Sequence, residues 1–255
     1  MPDLTHNLER TVVIRATPET VFRFFSDSSR WAAWWGAGST IDPTPGGKVY
    51  IRHANGIETV GEVLEVSPGE LIVFTYGNAT GKPIPAGGSR VTVRLQPDAA
   101  GTRLHLRHEF AEASARDEHV QGWRFQLSLF SNVVANEVYA NAASTVDSWF
   151  AAWTITDGHS REETFRSITT ADISFRDRYS LLDGLADLTA HTGAAQRFMP
   201  GIGLQRDGNV RQCQGCVLAD WIALDGDGKE RMRGSSVFSF RADGKIQSVT
   251  SFANA

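Results

Sequence analysis

The 255-residue sequence predicts two α+β domains, each a curved antiparallel sheet wrapping helices. Three observations carry this. Short strand-like runs broken by Gly, Pro and Asn crowd residues 48–110 and recur over 209–253, the pattern of antiparallel meanders. Each set of strands has helical apolar spacing beside it, and the length suits two modest domains of about 100–200 residues each. The segment "YANAASTVD" is short and not Gly/Ser-rich, which places a boundary between domains 1–143 and 144–255.

The first half opens with a strand at 10–15. Thr17 then caps a helix with Pro18 in its first turn, where a missing N–H costs nothing. Val21, Phe24 and Phe25 give that helix its apolar side. "SRWAAWWGAG" (29–38) follows, with three of the seven tryptophans, Trp31, Trp34 and Trp35, within five positions. "IDPTPGGKVY" is a turn. Strands are expected at 48–53, 58–67, 70–77, 89–97 and 102–110. A long helix over 116–143 closes the half, with Trp123, Leu127, Phe130, Val134 and Val138 in one stripe.

The second half begins with a helix at 145–157, where Val146, Trp149 and Trp153 share a face, and a second helix at 161–169. "DISFRDRYSLLDG" (172–184) reads as a strand, and 184–199 as a helix ended by Pro200. Three strands follow at about 209–224, 229–241 and 245–253, joined by the hairpin signals "DGDG" and "ADGK".

Charge and composition remove several classes of function. The net charge is −4 with no Lys/Arg block, which argues against nucleic-acid and anionic-membrane partners. "MPDLTHNLER" has no apolar run of the signal-peptide kind, and two cysteines make no disulfide scaffold. The expected location is therefore cytoplasmic.

With the elements placed, the first half resembles a known family. "ATPETVF", "WAAWWG", "PGGKVYIR", "GEVLEVSPGELIVFTY", "SRVTVRL", "GTRLHLRHEF" and "HVQGW" occur in order over about 8–140. They resemble the START/Bet v-type helix-grip (SRPBCC) superfamily, in the branch named after the activator of heat-shock-protein-90 ATPase. That resemblance implies a sheet gripping a long C-terminal helix, with an apolar cavity between them.

Residues 145–255, through "WFAAWTITDGHSRE", "ISFRDRYSLLDGLADLTAH", "VLADW" and "FSFRADGKIQSVTSF", resemble the SnoaL-like branch of the nuclear-transport-factor-2 superfamily. The implication is a cone-shaped, cystatin-like α+β barrel with a pocket at its open end. Members include polyketide cyclases, ketosteroid-isomerase-like enzymes and dehydratases, and any transfer of function is analogy.

Candidate site residues follow from strand alternation. Ile173, Phe175, Asp177 and Tyr179 share one face of their strand, so Asp177 is a carboxylate among apolar neighbours, suited to general acid–base work. The alternative is a pairing with an arginine or a loop cap. Tyr179 and His191 are the candidate orienting donors, although a lone histidine such as His191 is more often structural. Trp149, Trp153 and Trp221 are candidate walls of the same pocket.

In the first domain, Trp34 and Trp35 either plug the core or line a cavity. Trp123 lies on the stripe of the long helix, and Tyr76 is a weaker candidate. His108 should point toward that helix, either bonded to Gln126 or a backbone group or titrating at a ligand.

"CQGC" (213–216) is set aside, since positions i and i+3 of a strand face opposite ways and a redox CxxC normally starts a helix. No zinc or other metal spacing and no cofactor fingerprint occurs, so neither metal nor cofactor is expected.

Two readings remain. In one, apolar cavities take a small hydrophobic or aromatic, polyketide-like molecule and catalyse its cyclisation, dehydration or isomerisation by cofactor-independent proton transfer. In the other, the protein is a non-catalytic carrier or sensor, and a homodimer is allowed in either. Two convergent titratable groups in a pocket would favour the enzyme; apolar walls with one or two hydrogen bonds would favour the binder.

Overall fold

The computed structural model describes residues 3–254 and divides the chain into two compact units, Met1–Ala135 and Asn136–Ala255. The first unit contains β1 (His6–Ile14), α1 (Pro18–Ser26), α2 (Ser28–Trp35), β2 (Thr40–Ile41), β3 (Lys48–Arg52), β4 (Glu58–Ser67), β5 (Leu71–Asn78), β6 (Ser89–Asp98), β7 (Gly101–Phe110) and most of α3 (Ala113–Val138). Its strands form one antiparallel sheet in the order β1-β7-β6-β5-β4-β3-β2.

Local chemistry sets the helix ends. The Thr17 hydroxyl accepts from the Thr20 N–H at 3.3 Å, with Pro18 in the first turn of α1. The Trp cluster is itself a helix. Asp27 caps it by accepting from the Arg30 N–H at 2.9 Å, and Gly36, at φ 143°, ends it. A Cβ on Gly36 would lie 2.3 Å from the Arg52 carbonyl oxygen, so only glycine fits there.

The three indoles turn inward, two onto α3 and one onto the sheet. Trp34 lies 4.8 Å from Phe130, Trp35 lies 5.6 Å from Trp123, and Trp31 lies 5.8 Å from Phe74 of the sheet. This fills the space between sheet and helix with aromatic rings where the resemblance implied a cavity. The shared aromatic contact, edge-to-face for most pairs, adds to burial of large apolar area.

The second unit holds α4 (Ala142–Ala152), α5 (Gly158–Ile168), β8 (Thr169–Arg176), β9 (Leu181–Asp183), α6 (Leu185–Phe198), β10 (Gly203–Cys213), β11 (Cys216–Leu224), β12 (Glu230–Phe240) and β13 (Ile246–Ala253). The sheet order is β10-β11-β12-β13-β8-β9.

Four expectations need correction. The strand predicted over 172–184 is two strands, because the chain reverses at 177–180, where the Asp177 N–H donates to the Ser180 carbonyl. The strand predicted over 209–224 is likewise two, split by a turn at Gln214-Gly215. β8 pairs with β13 in parallel, so the sheet is mixed. Among the described residues the sheet keeps two edges, β10 and β9, and no closed barrel forms.

Inward positions alternate along the long strands. Val217, Ala219, Trp221 and Ala223 of β11 are buried, as are Gly234, Ser236, Phe238 and Phe240 of β12. Trp149 and Phe150 pack onto Phe238 from α4, and Phe165 of α5 packs against Trp149. Among the described residues no helix is long and apolar enough to cross a membrane.

Candidate functional site

A cavity of about 340 Å³ opens in the second unit. It exists because small inward residues leave space beside large ones. Ala223, Ser236, Ser251 and Ala195 line it together with Trp149, Trp153, Phe175 and Trp221. Trp149 lies on α4 and Trp153, four residues on, caps the helix end; their rings lie 5.9 and 5.4 Å from Phe175 of β8.

Trp221 is held flat across the sheet by its cross-strand partner Gly234. A Cβ on Gly234 would lie 2.5 Å from the indole and 2.1 Å from the Phe252 carbonyl oxygen. The position therefore requires glycine for close approach rather than for φ. Met199, Ile202 and Leu204 complete the apolar wall beyond α6.

Most polar groups around the cavity are already satisfied. Ser236 and Ser251 hydroxyls bond each other at 2.8 Å. Gln196 donates from Nε2 to the carbonyls of Trp153 and Ile155 at 2.7 and 2.9 Å. At the mouth, Arg231 is paired with Asp225 at 2.6 Å, and Arg178 lies 5.6 Å from the ring centroid of Tyr179.

Two donors are left over. The indole Nε1 atoms of Trp153 and Trp221 are buried and find no hydrogen-bond partner among the described residues. An indole can only donate, so each lacks an acceptor.

The predicted catalytic set does not assemble as a strand face. β8 stops at Arg176, and Asp177 sits in the reversing turn, where its Oδ1 accepts from the Tyr179 N–H at 2.8 Å. Asp177 and Tyr179 still border the cavity, but Tyr179 is 80% exposed at its mouth rather than facing inward with Phe175. His191 on α6 is hydrogen-bonded to the Ser180 hydroxyl at 3.2 Å and packs edge-on to Trp153 at 6.1 Å. It secures the turn to α6 and is not part of the cavity wall.

Trp149, Trp153 and Trp221 do come together. Phe150, Gln196, Met199 and the two serines were missed; the signal for them is the run of small inward residues opposite Trp221.

In the first unit the predicted ligand-binding residues form a closed network instead. Trp34 and Trp35 stack at 4.4 Å in the core. Trp123 Nε1 donates to His108 Nδ1 at 2.9 Å, which requires the proton of neutral His108 to be on Nε2, facing Ser89 Oγ at 2.8 Å. Ser89 in turn donates to the Tyr76 carbonyl at 2.7 Å. His108 thus contacts neither of its expected partners, and Gln126 donates to the Trp34 carbonyl. Burial, with the nearby His119 adding to it, holds the His108 pKa well below the ordinary imidazole value. Burial also raises the Tyr76 hydroxyl. The Trp35 Nε1 is buried without an acceptor as well, beside the His53 ring at 5.6 Å.

Among known proteins, no curated sequence matches the chain. Solved structures align with about half of it. A SnoaL-like family protein from Agrobacterium tumefaciens is 20% identical over 44% of this chain and 96% of its own, with a TM-score of 0.42. Protein CV1439 from Chromobacterium violaceum is 26% identical over 49% and 94%, with a TM-score of 0.41. The Aha1 dimer from Colwellia psychrerythraea is 16% identical over 48% and 91%, with a TM-score of 0.42. Residues 15–135, from the end of β1 into α3, match the family model of activator of Hsp90 ATPase homolog 1-like proteins, and over that part the chain is similar to this family.

Proposed function

We propose that the cavity of the second unit binds a small, mainly apolar or aromatic molecule that carries an acceptor oxygen, such as a ketone. The observation that carries this is the mainly apolar lining built on the rings of Trp149, Trp153, Phe175 and Trp221, in which the indole N–H groups of Trp153 and Trp221 are buried and find no hydrogen-bond partner among the described residues. A buried donor left unmade costs on the order of 1–3 kcal/mol. A ligand oxygen that accepts from either indole recovers that cost. The volume lies within the range of about 300–1,000 Å³ usual for small-molecule pockets.

The site supports binding more than catalysis. Asp177 is the one carboxylate along the cavity wall, and one of its oxygens is used to hold the turn. Among the described residues of the lining no other carboxylate and no imidazole joins it: the charged neighbours are Arg178 and Arg231, and the Tyr179 phenol stands exposed at the mouth. We therefore read the unit as a carrier or sensor, with proton-transfer chemistry at Asp177 as the second reading, favoured by its place on the wall.

The test uses a matched pair of probes, 1-acetonaphthone and 1-ethylnaphthalene, titrated calorimetrically against the full chain. The ketone should bind about tenfold more tightly, the equivalent of one or two net hydrogen bonds. The Trp153→Phe, Trp221→Phe double variant should erase that preference and keep the hydrocarbon affinity. A wild type that binds neither probe, or a double variant that still prefers the ketone, overturns the reading. Turnover of aromatic ketones that disappears in Asp177→Asn would move the assignment to the enzyme.

A further inference from the structure

The two cysteines occupy a place that sequence spacing misjudged. Thiols at i and i+3 diverge only if the strand continues. Here Gln214 and Gly215, at φ 50° and 81°, form a two-residue reversal of the type that takes positive φ at both positions. The chain folds back, and Cys213 of β10 becomes the direct cross-strand partner of Cys216 of β11. Partners in register project from the same face of the sheet.

Their backbone separation suits a bridge. Opposed Cα atoms in an antiparallel ladder lie about 4.5 or 5.5 Å apart, and disulfide-linked Cα atoms about 4.4–6.8 Å. The turn is also held in place: Gly215 N–H donates to Gln212 Oε1 at 3.1 Å, and Phe240 N–H donates to the Gly215 carbonyl at 2.9 Å. Both thiols are exposed, at the tip of a hairpin whose β10 is an edge strand. They are the only cysteines in the chain, and among the described residues no third metal-type ligand gathers with them.

We propose that Cys213 and Cys216 form a dithiol site that exchanges with low-molecular-weight disulfides of the glutathione class and closes a reversible intramolecular bridge. The thiolate of one cysteine attacks a sulfur of RSSR; the RS–SR bond breaks, and the expelled RS⁻ takes up a proton. The second cysteine, as thiolate, attacks the protein sulfur of the mixed disulfide and expels the other RS⁻, which is protonated in turn. Two electrons pass from the cysteine pair to RSSR, and the two thiol protons end on two RSH. An exposed bridge at a hairpin tip is open to the reverse attack, which makes the site reversible rather than a permanent staple.

The experiment equilibrates the reduced full chain in buffers of graded oxidised-to-reduced glutathione, quenches with acid, and reads intact mass and free thiols. In oxidising buffer the wild type should become a monomer lighter by two hydrogens, with no free thiol and no retained glutathione. Excess reduced glutathione should restore both thiols. Cys213→Ser and Cys216→Ser should each stop at a single glutathione adduct. A wild type that stays mainly glutathionylated, forms disulfide-linked dimers that rise with protein concentration, or keeps both thiols free would overturn the proposal.

Discussion

Trp31→Ala should lower the stability of the first unit by about 3–5 kcal/mol, the range for truncating a large aromatic in a closed core. Trp31 is fully buried and is surrounded on several sides by rings: Trp34 at 5.1 Å, Trp35 at 5.7 Å, Phe74 at 5.8 Å and Phe25 at 6.3 Å. These neighbours come from α1, α2 and β5, so no single element can slide in to fill the gap. The indole N–H also donates to the Tyr50 carbonyl at 3.2 Å, tying α2 to β3, and alanine removes that bond too. Trp31→Phe keeps most of the volume and should cost clearly less. Urea unfolding followed by the remaining tryptophans would show the midpoint falling in that order. An alanine variant within about 1 kcal/mol of wild type would mean that the cluster is loosely packed, contrary to its geometry.

How far the sequence carries can be seen in individual residues. The Thr17-Pro18 start of α1 was legible because capping is local chemistry, and the stripe Trp123, Leu127, Phe130, Val134 was legible because burial follows helical period. Trp149 and Trp153 could be placed on one helix face by the same argument. What failed were the inferences that carried a strand through a turn. Asp177 and Tyr179 were assigned a face by alternation, yet the chain turns between them, and Ser180 supplies the carbonyl that closes the turn. Cys213 and Cys216 were assigned opposite faces by the same rule, and a glycine at φ 81° brought them together. The unpartnered indole donors of Trp153 and Trp221 were out of reach for a different reason: lacking a partner is a property of the assembled fold, not of any residue.

Lowering the pH from 7.5 to 5.0 should destabilise the first unit through its buried imidazoles, chiefly His108. His108 is neutral in the fold, fixed by Trp123 and Ser89, and burial depresses its affinity for a proton far below the ordinary value near 6.5. The unfolded chain protonates this imidazole as pH drops through about 6.5, whereas the folded chain does not. The unfolded state then binds more protons, so stability rises with pH in this window and is lost on acidification. The slope for a group that stays neutral in the fold while the unfolded chain protonates approaches about 1.4 kcal/mol per pH unit, so the loss grows as pH falls below about 6.5.

His119 and His53 are shifted downward by burial as well, so they act in the same direction. The carboxylate of Glu109 is lowered by Arg90 and titrates below its ordinary 4.5, outside the window. His108→Gln offers an amide oxygen to Trp123 and an amide N–H to Ser89 without a titrating proton. That variant should start less stable at pH 7.5 but lose less on going to pH 5.0. Parallel losses in wild type and variant, measured as urea midpoints at both pH values, would place the acid sensitivity elsewhere and leave His108 an ordinary buried polar residue.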